Sequence, residues 1–416
     1  MDAPFRGVAA PTTEPARQRA PSRHRSPPKP LSSLRHQSTL VRTEASRERS
    51  DSTSPPYPFA HRDLRNGGFL DLSTDGDDRW LDYYRLPHFQ TPLAIAEWLQ
   101  LPVGKVAWLT YRFCENHRPQ SAKEAHYHFR WVRKRSGGHR LIEAPKRTLK
   151  AVQQKILRDI LNKVSPHSKA HGFVNGRSIL SNARPHVGQA VVLKFDLENF
   201  YGTVRYSRVV GIFRSLGYSR EAALWLARLT TSAAPGSLKL PLGESASIWK
   251  YMPRHLPQGA PTSPALANLS AYALDVRLTG LAKAWHLQYT RYADDLTFSG
   301  DGKAIAGLRE FIPLVEAIIR DEGFRVARSK RRVLRASQRQ EVAGVVVNEK
   351  VNVCRRDYDR LKAILNNCRR HGPASQNLDR HENFAAHLRG RIGHVMQLNA
   401  QRGAKLLEMF ERIRWE

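Results

Sequence analysis

Hydrophobic and polar positions along this chain change period several times. HFRWVRKRSGGHRLIEAP (His128–Pro145) alternates on either side of Ser136-Gly137-Gly138, which predicts two strands joined by a hairpin turn. Arg133, Lys134, Arg135, His139 and Arg140 make its tip basic. VVLKF (Val191–Phe195) predicts a third strand, with Asp196 at its end on the face of Val192 and Lys194. LQYTRY (Leu287–Tyr292) and LTFSG (Leu296–Gly300) predict a tight hairpin whose bend carries Asp294 and Asp295. Neighbouring side chains on a strand face opposite ways, so two adjacent acids converge only where the chain turns. EVAGVVVNEKVNVCR (Glu341–Arg355) predicts a final pair of strands.

Elsewhere the apolar spacing is helical. Thr91-Pro92 supplies an N-cap and a first-turn proline for a helix over Leu93–Leu101, with a partner across Val103–Phe113. Further helices are predicted over Leu149–Val164, Tyr206–Leu216, Arg220–Thr231, Ile305–Glu322, Asp357–Arg370 and His381–Trp415. LPQGAPTSPALANLSAYALDVRLTGLA (Leu256–Ala282) reads as a Pro/Gly-rich loop running into a long helix. Between these lie a glycine-punctuated loop (His171–Gly188), a polar excursion (Ser232–His255) and a basic segment (Gly323–Leu334).

Residues 1–56 differ in kind. They are rich in Pro, Ser, Thr and Arg, with Phe5 as their one aromatic, and cannot bury enough apolar surface to offset their ordering entropy. Prolines at 11, 15, 21, 27, 28 and 30 argue against an amphipathic targeting helix, so the reading is a disordered basic arm that touches nucleic acid. The chain is therefore expected to be α+β. A helical module at 57–120 follows the arm, then a strand-rich region at 121–348 and a helical region at 349–416.

Charge narrows the partner. Lys and Arg number 68 against 37 Asp and Glu, a net charge of +31 over 416 residues. An excess of that size implies a polyanion, because these side chains neutralise phosphates and release counterions. A membrane surface is the rival, but no apolar run approaches the ~20 residues that span a bilayer. Three widely spaced cysteines (Cys114, Cys354, Cys368) form neither a disulfide framework nor a zinc motif, and fit a reducing cytoplasm. The seventeen histidines are scattered without metal-ligand spacing.

An isolated Asp-Asp turn is ordinarily a solvated surface feature. A third acid at a neighbouring strand end, Asp196, changes that. Nucleotidyl transfer to a 3′-hydroxyl uses two Mg²⁺ ions roughly 3.5–4 Å apart, and Mg²⁺ takes a few carboxylates plus phosphate and water oxygens. Strand, helix and hairpin would then form a βαβ-like unit with Asp196, Asp294 and Asp295 at adjacent strand ends. Glu198 lies past its strand end and is left out.

Three stretches, in this order and spacing, resemble the motifs of reverse transcriptases: FDLENFY (Phe195–Tyr201), LPQGAPTSP (Leu256–Pro264) and YADD (Tyr292–Asp295). NARPH (Asn182–His186) is similar to the NAxxH element of the bacterial retron type. VAG (Val342–Gly344) stands where that type carries Val-Thr-Gly, with Ala343 as a departure, and HLRGRIGHVMQLNA (His387–Ala400) resembles its template-gripping thumb. The likeness spans roughly Leu86–Trp415. It implies a right-hand polymerase architecture, with fingers and palm over 121–348, containing an antiparallel or mixed sheet, and a helical, RNA-gripping thumb over 349–416.

The resemblance also implies roles. Asp196, Asp294 and Asp295 would bind two Mg²⁺ ions, with Asp295 aligning the primer 3′-hydroxyl. Tyr201 would exclude a 2′-hydroxyl, or be a core aromatic beside Phe200. Gln258 would contact the incoming deoxynucleoside triphosphate, and Arg140, or else Arg177, would hold its phosphates through a planar donor fork. Lys330 would sit near the leaving pyrophosphate, or be part of a solvated basic face. Asn182 and His186 would serve RNA recognition or loop structure. The implied activity is copying part of its own structured non-coding RNA into a branched RNA–DNA hybrid, primed from a 2′-hydroxyl, in antiphage defence beside an effector or toxin protein. The alternatives are a group II intron-like reverse transcriptase, expected to continue into nuclease regions for which no Cys/His cluster is present, or an RNA-binding scaffold that holds a toxin inactive.

Overall fold

The computed structural model describes residues 54–63, 67–112, 118–134, 137–241 and 251–415. Most of the expected arm, Cys114, the hairpin tip at Arg135-Ser136 and residues 242–250 of the polar excursion lie outside the described residues.

Two short strands, β1 (His61–Arg62) and β2 (Phe69–Leu70), pair antiparallel ahead of three helices. The first helix, α1 (Asp78–Tyr84), was not anticipated; Asp77 caps it by accepting the Arg79 N–H. The second, α2 (Pro92–Leu99), starts as expected behind Thr91, whose hydroxyl accepts the Ala94 N–H at 3.3 Å. It stops where Gln100 turns left-handed, and α3 (Val103–Leu109) follows. Leu81, Ile95, Leu99 and Val106 are buried in the same apolar core as the helices of the main body. The front helices thus have no core of their own.

The basic hairpin comprises β3 (Tyr127–Arg133) and β4 (His139–Pro145), in register from Tyr127 opposite Pro145 to Arg133 opposite His139. Helix α4 (Arg147–Asp159) backs it, and its buried Gln153 donates to the Tyr127 hydroxyl and the Leu229 carbonyl, both at 2.8 Å. A short α5 (Ile179–Ala183) leads into β5 (Val191–Asp196). Then come α6 (Phe200–Thr203), α7 (Tyr206–Ser215), α8 (Arg220–Thr230), α9 (Ser263–Ser270) and α10 (Tyr272–Ala284). The single long helix expected after Leu256 is thus two, divided at Ala271.

The acidic hairpin is β6 (Gln288–Tyr292) and β7 (Asp295–Gly300). Helices α11 (Gly302–Ala306) and α12 (Leu308–Asp321) lead to β8 (Arg332–Arg335), a strand within the stretch expected only as a basic segment. The central sheet has the order β6-β7-β5-β8, every pair antiparallel. β6 and β7 form a tight hairpin, and β7 returns between β6 and β5. β5 and β6 therefore run parallel, one strand apart, joined through helices α6 to α10, a split form of the expected βαβ-like unit.

Beyond the sheet, β9 (Glu341–Val342) and β10 (Val345–Val346) close a turn at Ala343 and Gly344, both left-handed. The C-terminal region consists of α13 (Arg355–His371), α14 (Phe384–Leu398) and α15 (Ala400–Glu411) around a second apolar cluster of Leu361, Leu365, Leu388, Ile392 and Leu406. The run expected as one helix over 381–415 divides at Asn399, whose side chain accepts the Arg402 N–H at 3.0 Å. Here α15 passes so close to α14 that a Cβ on Gly403 would lie 2.5 Å from the Met396 Cα. Among the described residues no helix is long and apolar enough to cross a membrane.

Candidate active site

The three acids meet where β5 ends and the β6–β7 hairpin turns. Register places Asp196 directly opposite Asp295 on the neighbouring strand, while Asp294 sits in the two-residue bend with left-handed Ala293. The backbone holds them there: the Leu197 N–H donates to the Asp294 carbonyl at 2.9 Å, and the Ala327 N–H to the Asp196 carbonyl at 2.8 Å. All three side chains are half-buried.

Crowding carboxylates into a partly desolvated place disfavours their charged forms. Burial, reinforced by the charges of Asp295 and Asp196, pushes the Asp294 carboxyl up to about 6. Burial also raises Asp295, with Lys194 acting against it. Lys330 answers part of the charge. Its ammonium donates to both oxygens of Asp196, at 2.8 and 3.0 Å, and that bond raises its own pKa. Lys330 is therefore engaged with a carboxylate of the site and is not simply a solvated basic side chain.

The donor set suits a hard divalent cation. Carboxylate oxygens are the ligands Mg²⁺ takes, and like-charge strain of the kind seen at Asp294 is what such an ion relieves. Among the described residues no three His, Cys, Asp or Glu side chains close into a complete metal-holding group.

The bend rests on a buried polar network. Arg291, fully buried, makes a bidentate pair with Asp275 of α10, Nε to Oδ1 at 2.8 Å and Nη2 to Oδ2 at 2.6 Å. Its Nη1 donates to the Asn268 Oδ1 at 2.9 Å and to the Ala293 carbonyl, inside the bend, at 3.0 Å. The Tyr289 hydroxyl adds a bond to Asp275 at 2.8 Å. Residues 169–171 pair with the outer edge of β6, the His171 N–H donating to the Arg291 carbonyl and the Arg291 N–H to the Lys169 carbonyl. These supports were not singled out in the sequence. The available signal was an arginine inside an otherwise β-forming run, which must find a partner if it is buried.

The other expected residues divide into two groups. Tyr201 is half-buried beside Phe200, and burial together with the Asp294 charge pushes its hydroxyl up to about 12, so it lies at the acidic cluster. Gln258 is half-buried in a loop fastened to β4, its carbonyl accepting the Glu143 N–H at 2.9 Å. Gly259 permits that approach: a Cβ there would lie 3.2 Å from the Glu143 carbonyl oxygen and 3.3 Å from an Ile142 methyl, at φ +129. Arg140 is exposed and, by strand alternation, shares a face with Ile142, toward the same loop. A buried His255–Glu143 pair at 2.8 Å adds a second tie between loop and hairpin.

The remaining three are held by contacts within the protein. Arg177 donates from Nη1 to the carbonyls of His167 and Ala170, so it braces its own loop. Asn182 and His186 are buried, a placement that fits the loop-structure role of the two expected. His186 bridges the Ser299 hydroxyl on β7 at 2.6 Å and the Thr290 hydroxyl on β6 at 2.8 Å. Burial, with His171 and Lys169 nearby, lowers its pKa to about 3. The unfolded chain, near 6.5, then takes up this proton first, so the stability is full above pH 6.5 and is lost as pH falls toward 3. A His186→Gln variant is expected to lose about 2 kcal/mol less than wild type between pH 7.5 and 5, read from urea midpoints. Parallel losses in both proteins would sink this assignment.

An antiparallel palm with three acids at its strand ends, flanked by a basic hairpin and helices, defines a nucleic-acid polymerase of right-hand type. Residues 132–347 match the family model described as Reverse transcriptase (RNA-dependent DNA polymerase). The chain is 40% identical over 349 residues to the Retron Mx65 reverse transcriptase of Myxococcus xanthus, covering 82% of this chain and 76% of that one. It is 38% identical over 292 residues to the Retron Mx162 enzyme of the same organism (65% and 59% covered). Identity to the Retron Ec86 enzyme of Escherichia coli is 33% over 278 residues (66% and 76% covered). A solved telomerase from Candida albicans, in complex with a telomeric RNA fragment, is 12% identical with a TM-score of 0.41, covering 69% of this chain and 55% of that one. The chain belongs to the reverse transcriptase family, among the retron reverse transcriptases, and is an RNA-directed DNA polymerase.

Proposed function

We propose that this polymerase copies part of its own structured non-coding RNA, starting from a 2′-hydroxyl, and leaves a branched RNA–DNA hybrid that serves antiphage defence with an effector protein. The observation that carries this reading is Asp196 opposite Asp295, with Asp294 in the bend, in a chain 40% identical to a retron reverse transcriptase.

In this reading Asp196, Asp294 and Asp295 hold two Mg²⁺ ions, which when bound stabilise the charge developing on the attacking and leaving oxygens. Asp295 aligns the primer 3′-hydroxyl. Tyr201, kept protonated by burial and by Asp294, offers a flat, unyielding surface that leaves no room for a ribose 2′-hydroxyl. Gln258 contacts the incoming nucleotide from a loop fixed to β4, and Arg140 on that strand's exposed face binds its phosphates. Lys330, half-exposed and beside Asp196, is a cation that transfers its contact to the leaving pyrophosphate. The basic thumb, α13 to α15, grips the RNA.

Nucleic acid carried by the purified protein tests the proposal. A short DNA covalently joined to a structured RNA, part DNase-sensitive and part RNase-sensitive, is the expected finding. RNA alone from the wild-type protein would instead favour a scaffold that binds RNA without copying it.

A further inference from the structure

One aromatic side chain beside the catalytic bend is still unexplained. Phe173 is 61% exposed and its backbone is left-handed, with φ +59. A bulky residue at positive φ is strained, and an exposed loop could hold glycine or asparagine there at lower cost. Neither exposure nor strain alone would distinguish Phe173 from an ordinary surface residue. Its anchoring does. The preceding residues are tied to the hairpin by the Arg291 N–H to the Lys169 carbonyl at 2.8 Å and the His171 N–H to the Arg291 carbonyl at 2.7 Å. Asn268, a member of the Arg291 network, donates to the Gly172 carbonyl at 2.8 Å. Gly172 lies so close under the bend that a Cβ there would be 2.5 Å from the Ala293 nitrogen. The same network that holds Asp294 therefore holds Phe173, and its ring stands 6.4 Å from that of Tyr292, tilted by 39°.

We propose that Phe173 and Tyr292 form a base-stacking subsite, which takes a nucleobase of the template–primer duplex at its growing end. The chemistry recognised is the π-face of a base, sequence-tolerant by nature; the base can come from the template strand or from the primer terminus. This inference rests on the polymerase reading of the three acids. A stacked base would fix the duplex end relative to Asp294 and Asp295 without any polar contact to the base edges.

The test measures duplex affinity of the full chain at one fixed salt concentration, without nucleotide. The probes are an intact RNA template–DNA primer, one abasic opposite the incoming position, and one abasic at the primer terminus. Phe173→Leu keeps bulk but removes the π-face, and is expected to weaken intact-duplex binding about 5- to 10-fold, whereas Phe173→Trp retains it. With one of the two abasic duplexes the wild type and Phe173→Leu should bind alike, and that duplex identifies the strand. Equal affinity of wild type and Phe173→Leu for the intact duplex would overturn the subsite. So would an undiminished Phe173→Leu penalty on both abasic duplexes. Primer extension by the wild-type enzyme is scored separately: its absence overturns both readings, while extension with equal affinities overturns the stacking subsite alone.

Discussion

Asp294→Asn is expected to lower the rate of primer extension by about a thousandfold or more while leaving the protein at least as stable as the wild type. The rate loss follows from removing one anionic ligand where charge must be held at the reacting oxygens; losing a single electrostatic contact of that kind costs about 10²–10³-fold, and a metal ligand more. The stability effect has the opposite sign. At pH 7.5 the Asp294 carboxyl is ionised above its raised pKa of about 6, in a half-buried place beside Asp295 and Asp196 that disfavours the charge. Asparagine keeps the shape and removes the repulsion, so a gain on the order of 1–2 kcal/mol is expected in unfolding experiments with a chelator present. Bound RNA should remain, since the basic surface is untouched. Near-normal extension by the variant would remove Asp294 from the centre. A destabilised variant would instead mean that the carboxylate has a structural partner outweighing the repulsion.

That pairing of lost rate with retained fold depends on features unequally visible in the sequence. The acids were legible because each marks a local event: Asp196 ends an apolar strand, and Asp294 and Asp295 occupy a bend between two β-forming runs. β8 was hidden by its composition. It pairs on one side only, with β5, so its side chains are largely exposed, and RVLR within a basic run carries no apolar face to reveal it. Asn182 and His186 carry two readings in the sequence, RNA recognition or loop structure, because the resemblance that singles them out does not separate the two. The signal for loop structure lies a hundred residues on, in Thr290 and Ser299, buried strand hydroxyls that need partners. The core that the front helices share with the main body is hidden for a related reason. An amphipathic helix discloses that it has an apolar face, but not which core receives it.

Arg291 is the clearest case of a function carried by tertiary context, and it yields the second large effect. Arg291→Met should cost about 3–5 kcal/mol of stability, because it leaves Asp275 buried and ionised without its partner. Extension should fall as well, since the Ala293 carbonyl in the bend loses its 3.0 Å donor. A paired substitution separates the two consequences. In Arg291→Met with Asp275→Leu, no uncompensated charge remains, and apolar side chains of similar bulk fill the space, so much of the stability should return. The activity should not. The double variant loses the Arg291 donor to the Ala293 carbonyl and the Asn268 amide oxygen, and the bend that orients Asp294 and Asp295 is left without that clamp. Single-turnover extension is therefore expected to stay at least tenfold below wild type, about the effect of small misplacement in a reacting geometry, while the urea midpoint recovers. A double variant that regained both stability and rate would show that the arginine serves only to neutralise Asp275, and that the strands alone hold the bend.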